Sequence, residues 1–147
     1  MKIAVYCSAK DRIPEEYLAL GDVLGQWIAE AGHTLVYGGA TGGLMTRVSN
    51  AAKAAGGIVE GVIPQRIIQA KRMASNCDTL HIVNNMCERK QKMKELADCF
   101  VCLPGSYGTL DEMMDVVASG TVDEHVIYLI IRGFTKGSSN SPSTCVA

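Results

Sequence analysis

The chain has 147 residues, 48% of them hydrophobic and 20% charged, which is the length and composition of one folded domain. Its net charge of -1 argues against a protein that holds nucleic acid through the phosphates. No apolar run approaches the roughly 20 residues that span a bilayer. Charged residues at 10–12 interrupt the short apolar start, so the N-terminus does not resemble a signal peptide. We therefore expect neither a nucleic acid nor a membrane partner.

The elements follow one another as strand, turn and helix, many of the turns being glycine-rich. Predicted strands cover 2–7, 34–37, 58–63, 79–83, 100–103 and 126–131, and predicted helices cover 15–31, 44–55, 86–97 and 109–118. Mostly aliphatic strands that alternate with helices are typical of a parallel sheet covered on both faces. The sequence predicts the α/β class: a Rossmann-like, doubly wound parallel sheet in three α/β/α layers. Residues 1–134 would form this single Rossmann-like domain, and 135–147, small and polar, a disordered tail.

The six cysteines predict no disulfide framework, because a chain of this length and aliphatic content folds without one. Cys99 and Cys102 lie in an aliphatic run with no second pair at metal spacing, so we interpret them as small buried hydrophobic residues. His33, His81 and His125 share no metal-ligand spacing and are interpreted as structural. The sequence thus predicts no metal, no cofactor and a reducing, cytoplasmic compartment.

A glycine-rich segment, Tyr37–Met45, follows the second predicted strand. It does not keep the G-x-G-x-x-G spacing, and Glu60 lies inside the next strand rather than at its end, where a ribose-binding acid is expected. A dinucleotide coenzyme is therefore disfavoured, and a mononucleotide or a phosphosugar fits better. Ser8, directly after the first strand, is either a ligand contact at the same edge of the sheet or a turn hydroxyl.

The predicted helix that starts at Met86 carries cations where its apolar face should be. Arg89 and Lys90 fall three and four residues after Met86, on the core-facing stripe. A cation there either extends its charged end to solvent or meets an anion. Lys92 and Lys94 are interpreted as ordinary solvated charges.

The segment Pro104–Glu112 lies between a strand and a helix. Gly105 and Gly108 permit tight turning, and the start of the helix presents free N–H groups and the positive end of its dipole, which suit a phosphate. Thr109 and Glu112 also fit a capping box, in which the carboxylate only binds the start of the helix. Both interpretations of Glu112 stay open from the residues alone.

Taken together, the motifs resemble the LOG ("Lonely guy") family. The resemblance is carried by Tyr37–Met45, by Arg89-Lys90 and by Pro104–Glu112, and it extends from about Lys2 to Phe134. Members of that family are cytokinin riboside 5'-monophosphate phosphoribohydrolases, long labelled lysine decarboxylases. The resemblance implies hydrolysis of the N-glycosidic bond of a nucleoside 5'-monophosphate to free base and ribose 5-phosphate, by a homodimer or higher homo-oligomer.

The resemblance also assigns roles to residues of this sequence. It implies that Arg89 and Glu112 are catalytic and that Lys90 contacts the nucleotide. The remaining expected substrate-binding residues are Ser8, Gly38, Gly39, Met86, Gly105, Ser106, Tyr107, Gly108 and Thr109.

Three positions depart from the family pattern. Ser106 replaces a glycine of the signature loop, residues 70–75 lack a glutamate that many members carry near the base, and Ala118 stands where plant-type members often have a threonine. The expected substrate is therefore AMP or a cytokinin riboside 5'-monophosphate, with AMP favoured over the prenylated nucleotide. Two alternatives remain: a non-catalytic carrier of a nucleotide or of the molybdenum cofactor, and a DNA-processing module of related fold, which the neutral charge disfavours. No pattern marks a Schiff-base lysine of a decarboxylase.

Overall fold

The computed structural model describes residues 1–120 and the backbone of a strand at 127–129. The strands are β1 (Lys2–Tyr6), β2 (Thr34–Tyr37), β3 (Ile58–Pro64), β4 (Thr79–Val83), β5 (Cys99–Cys102) and β6 (Ile127–Leu129). The helices are α1 (Glu15–Glu30), α2 (Gly43–Ala54), α3 (Gln65–Gln69), α4 (Met86–Leu96) and α5 (Tyr107–Ala118).

All six strands are parallel, in the order β4-β3-β2-β1-β5-β6. The order reverses at β1, where Ile3 pairs with Leu35 of β2 on one side and with Cys99 of β5 on the other. This confirms the predicted doubly wound sheet. In such sheets ligands bind beyond the carboxyl ends of the strands at the point of reversal, which here is the edge after β1 and β5.

Strand residues point alternately to two separate cores, one on each face of the sheet. Ile3 and Val5 of β1 pack with Ile28 of α1 and with the apolar side of α2. Ala4 and Tyr6 face the opposite way, toward a core that includes Met93 of α4. Because both faces are covered, the central strands tolerate few polar residues, which is why they stand out in the sequence.

The predicted elements up to residue 120 are confirmed to within one or two residues at their ends. The five-residue helix α3 was not predicted, since it is too short to show a helical period. The strand predicted at 126–131 contains β6. The predicted disordered tail, 135–147, lies outside the described residues.

The cysteines in β5 are buried, as predicted: Cys99 and Cys102 are 7% and 4% exposed. His81 lies on β4 with Nε2 3.0 Å from a carboxylate oxygen of Glu60, and the Trp27 ring meets the His33 ring edge to face. These contacts give both histidines a structural role. His125 and Cys145 lie outside the described residues. Over residues 1–120 and 127–129, no helix has the length and apolarity needed to cross a membrane.

Helices α1 and α2 pack closely because α1 carries glycine at the contact. A Cβ atom on Gly25 would overlap the main-chain oxygen of Val48, and one on Gly21 would lie 2.9 Å from a methyl carbon of Leu44. The backbone of α1 therefore rests directly on α2. This contact fixes the layer that covers one face of β1 and β2.

We expect Gly25→Ala to lower the free energy of unfolding by about 1–3 kcal/mol, because α1 must move away from α2. Urea denaturation followed by circular dichroism measures this change. Gln26→Ala, at the neighbouring exposed position of α1, is the matched control and leaves the midpoint nearly unchanged. A variant at Gly25 as stable as the wild type would contradict the close helix contact.

Candidate active site

A cleft of about 600 Å³ opens at the edge of the sheet where the strand order reverses. Its walls come from the loop after β1, from the first turns of α2, α4 and α5, and from Arg72. Segments far apart in the sequence thus meet at one place, as expected for parallel strands whose carboxyl ends share an edge.

The amino end of α5 forms one wall of the cleft. Ser106 is the N-cap residue, and its side chain makes no capping hydrogen bond. Gly105 is required here because a Cβ atom would overlap the side chain of Thr109. Ser106, Gly108 and Thr109 all line the cleft. The first N–H groups of the helix and the positive end of its dipole therefore lie at the cleft, where they suit an anion.

The capping-box interpretation of Glu112 is wrong. Helix α5 begins at Tyr107, so Thr109 already lies inside the helix and is not its cap. The carboxylate of Glu112 instead accepts a hydrogen bond at 2.7 Å from Nη2 of Arg89 on α4. Arg89 and Glu112 are only 6% and 5% exposed. The cation on the apolar stripe and the acid after the glycine loop are partners in one buried ion pair.

Gly38, at the end of β2, leaves the space that the Arg89 guanidinium occupies. A Cβ atom at Gly38 would overlap Nη2. The guanidinium makes one strong protein contact, to Glu112, and one weak contact at 3.8 Å from Nη1 to the sulfur of Met86. Its Nε is buried without an acceptor among the described residues. Because an unpaired buried donor is costly, these spare N–H groups favour a ligand rich in acceptor atoms.

Burial raises the pKa of Glu112 above the usual range of a glutamate. The charges of Arg89 and Lys90 oppose this effect, and the neighbouring Asp111 adds to it. A carboxylate with a raised pKa is a better proton acceptor at neutral pH than one in water. Perturbed acids in a cleft are frequent at catalytic sites.

Six of the sequence-predicted site residues besides the ion pair lie at the cleft or touch the pair. Ser8 lines the cleft and also accepts a hydrogen bond from the main-chain N–H of Lys10, so it serves as a turn hydroxyl as well. The other residues of this group are Gly38, Met86, Ser106, Gly108 and Thr109.

Four other predicted residues are not among those that line the cleft: Lys90, Tyr107, Gly39 and Gly105, the last of which packs against Thr109. Lys90 does not line the cleft itself, but its amine lies 3.0 Å from a carboxylate oxygen of Asp111, which does. Tyr107 is 87% exposed and does not line the cleft. Gly39 lies against β3 and β4, and its carbonyl accepts from the N–H of Ala74.

The outer face of α4 differs from the prediction at one lysine. Lys94 was expected to be a solvated charge, and this is wrong: its side chain is 14% exposed and its amine lies 2.7 Å from Asp115 of α5. Lys92 is more exposed, and its amine lies 3.8 Å from Glu95 on the same helix.

Sequence reasoning missed the cationic residues of the cleft. Lys10 and Arg12 line it from the loop after β1, and Arg72 lines it from the segment before β4. Nη2 of Arg72 donates to the carbonyl oxygens of Ala9 and Thr41, at 2.7 and 2.9 Å, and so joins two loops. The loop after β1 could have been recognised as part of the site, because it follows the strand at which the strand order reverses.

The profile of a family described as "possible lysine decarboxylase" matches residues 45–135. The chain is 42% identical over 123 residues to the cytokinin riboside 5'-monophosphate phosphoribohydrolase of Mycobacterium marinum, and 40% identical over 123 residues to that of Mycobacterium tuberculosis. Both matches cover 84% of this chain and 65% of the relative, so the chain spans less than two thirds of these relatives' length. The resemblance to the LOG family is confirmed.

A solved structure with the same fold is the molybdenum cofactor binding protein of the phototrophic bacterium Rippkaea orientalis. It superimposes with a TM-score of 0.72 at 22% identity, covering 88% of this chain and 77% of that protein. At this identity the likeness shows the fold alone.

We expect Arg89→Met to lower the free energy of unfolding by about 3–5 kcal/mol at about pH 7.5, because it leaves a buried carboxylate without its partner. Without the cation the pKa of Glu112 in the folded state rises further. The folded state then holds a proton that the unfolded chain releases, so stability is lost as the pH rises between the two pKa values. Urea denaturation should therefore show a smaller loss at about pH 4.5 than at about pH 7.5.

Two further variants are controls for this experiment. Adding Glu112→Gln to Arg89→Met removes the buried charge and recovers part of the stability at neutral pH. Lys92→Met, on the exposed side of the same helix, has little effect. If Arg89→Met lost the same free energy of unfolding at both pH values, the unpaired charge of Glu112 would not be the cause of the loss.

Proposed function

The chain belongs to the family described as "possible lysine decarboxylase", and on that premise we propose that it hydrolyses the N-glycosidic bond of nucleoside 5'-monophosphates. The products are the free base and ribose 5-phosphate. One observation carries the proposal: the buried Arg89–Glu112 pair lies in the same cleft as the amino end of α5. The names of the relatives from Mycobacterium support the same reaction.

Glu112 supplies the chemistry at the sugar. As the C1'–N bond breaks, its electrons leave with the base and the ribose ring becomes oxocarbenium-like. The carboxylate either traps C1' as an ester, which water then hydrolyses, or accepts a proton from water that attacks C1' directly; in both routes the base takes up a proton as it leaves. The raised pKa of Glu112 favours the proton-accepting role at neutral pH.

Arg89 holds Glu112 with one N–H group and keeps the others for the ligand. The Nε donor without an acceptor among the described residues supports this division. A guanidinium binds vicinal hydroxyls or phosphate oxygens through two parallel hydrogen bonds. We propose that Arg89 binds the ribose or the phosphate in this way and so keeps C1' beside the carboxylate.

The loop Gly105–Thr109 supplies the anchor for the 5'-phosphate. The amino end of α5 points into the cleft, and the exposed cations Lys10 and Arg12 lie on the same cleft. The phosphate is remote from the bond that breaks, so its binding energy orients the sugar. This arrangement predicts that a nucleoside without a 5'-phosphate is a poor substrate.

AMP is the substrate we propose to test first. The segment in which many family members carry a glutamate near the base places Arg72 in the cleft instead. A decarboxylase is less consistent with the site, since the lysine that lines the cleft, Lys10, is exposed. A Schiff-base lysine needs burial or a neighbouring cation to lose its proton at neutral pH.

Purified protein incubated with AMP, adenosine or ATP should release adenine from AMP alone, as measured by chromatography. We expect Arg89→Ala and Glu112→Gln each to lower the rate by on the order of 10²–10⁴-fold, because each removes a group that acts at the sugar. Lys92→Ala, on the exposed face of α4, keeps the wild-type rate.

Two outcomes would contradict the proposal. If adenine were released from adenosine as fast as from AMP, the phosphate anchor would have no role in the reaction. AMP that binds but is not cleaved, with binding intact in Glu112→Gln, would favour the carrier alternative, because a carrier needs the anion site but not the carboxylate.

We also propose that the protein is a homodimer or a higher homo-oligomer. Exposed apolar side chains of α5 support this: Tyr107, Met114 and Val117 are 87%, 55% and 44% exposed, on the side of the helix that also carries Asp111. An apolar helix face in contact with water is typical of an interface.

Met114→Lys should shift the protein toward the monomer, because it places a charge in the centre of that apolar face. Size-exclusion chromatography with light scattering measures the mass. Val23→Lys is the matched control, since Val23 is an exposed apolar residue of α1, 69% exposed. A wild-type protein of monomeric mass would refute the proposed dimer.

Finally, we propose that the protein acts in the cytoplasm. Among the described residues, Cys7, Cys77 and Cys87 have no disulfide partner, and burial raises the pKa of the Cys7 and Cys77 thiols above its usual value. Thiols without disulfide partners are the usual state in a reducing compartment.

A further inference from the structure

Helices α4 and α5 are joined by a second set of ion pairs beside the buried one. The amine of Lys90 lies 3.0 Å from Asp111 and 3.5 Å from Asp115, and the amine of Lys94 lies 2.7 Å from Asp115. We call these four residues the outer ladder. The Lys90–Asp111 pair is adjacent in sequence to the catalytic pair on both helices, because Lys90 follows Arg89 and Asp111 precedes Glu112.

The lysines of the outer ladder are more buried than those of an ordinary surface ion pair. The side chains of Lys90 and Lys94 are 17% and 14% exposed. Both lysines lie on α4, and their amines contact carboxylates of the neighbouring helix α5. Exposed single pairs contribute only about 0–1 kcal/mol, but several charges in one network contribute more. The Lys92–Glu95 pair on α4 is the contrasting case: it is longer, at 3.8 Å, more exposed, and lies within one helix.

Glu112 depends on the position of α5 for its orientation. Its Oε1 is held by Arg89 alone, and no described residue donates to Oε2. A small displacement of α5 would therefore turn the carboxylate away from the sugar, and misplacement by about 1 Å can cost roughly 10²-fold in rate.

From this arrangement we propose that Lys90 is a positioning residue: with Lys94 it holds Asp111 and Asp115, so that α5 presents Glu112 correctly to the ribose. The inference rests on the function proposed above. It gives Lys90 a role through Asp111 rather than a contact with the nucleotide.

The groups that act on Glu112 come from four elements. Arg89 and Lys90 on α4 lower its pKa, and Asp111 on α5 raises it. Tyr6 on β1, Cys7 directly after it and Cys102 on β5 also lie near Glu112; burial raises their own pKa values, so they stay neutral in the working range. Loss of Lys90 and loss of Asp111 should therefore move the titration of Glu112 in opposite directions.

The test compares Lys90→Met, Lys90→Arg, Asp111→Asn and the control Lys92→Met. We expect Lys90→Met to lower kcat for AMP about tenfold and to change KM less than about twofold, since positioning acts on the reaction step rather than on binding. The acid limb of its pH profile moves to higher pH, and that of Asp111→Asn moves to lower pH. Lys90→Arg restores most of kcat, and Lys92→Met matches the wild type.

A second readout does not need turnover. The carboxyl carbon of Glu112, labelled with ¹³C and assigned by its loss in Glu112→Gln, is titrated by NMR in the same variants. The expected result is a higher pKa in Lys90→Met and a lower pKa in Asp111→Asn. The side chain of Asp111 is 64% exposed, so we expect Asp111→Asn to fold even if Lys90→Met does not. The pKa of Glu112 in Asp111→Asn can then still be compared with that in the wild type.

Each result decides the proposal. A raised KM with unchanged kcat in Lys90→Met would show that Lys90 binds the nucleotide and would overturn it. So would a Glu112 titration that is the same in every variant. If the wild type cleaves no nucleotide, the proposed function fails, and opposite shifts in the NMR titration would still support the coupling between the ladder and Glu112.

Discussion

The site depends on one costly arrangement, a carboxylate buried against a guanidinium between two helices. Glu112 and Arg89 are almost fully covered, and burial of two charges costs free energy that their attraction only partly returns. An apolar pair of similar size would stabilise the fold at least as well. The presence of charges at the edge where the strand order reverses is therefore better explained by chemistry than by stability.

The fold provides this pair by bringing two helix starts to one edge of the sheet. Strand β5 leads into α5 through the glycine loop, while β4 leads into α4, and Gly38 at the end of β2 leaves room for the guanidinium. The Arg89 and Glu112 side chains meet above β1 because the strand order places β1 between β2 and β5. The same order places the loop after β1, with Lys10 and Arg12, at the opposite wall.

The sequence predicts the strands and helices, which depend on local pattern, better than it predicts the partners of individual side chains, which depend on contacts between distant segments. Buried parallel strands appear as aliphatic runs, so the sheet was predicted almost to its ends. Glu112 shows the limit: a threonine three residues earlier is the local signature of a capping box, and only the start of α5 at Tyr107 and the approach of Arg89 exclude it. Lys94 was misjudged for the same reason, since its partner, Asp115, belongs to another helix.

The charges of the cleft divide between binding and chemistry. Within residues 1–120, no carboxylate lies at ion-pair distance from Lys10 or Arg12, and both are exposed, so they attract an anion through a field that salt screens. Asp111 and Glu112, in contrast, are each held by a cation of α4. Under the proposed function, Lys10 and Arg12 would draw a phosphate into the cleft, while the buried carboxylate of Glu112, shielded from water, would act most strongly on a developing cation.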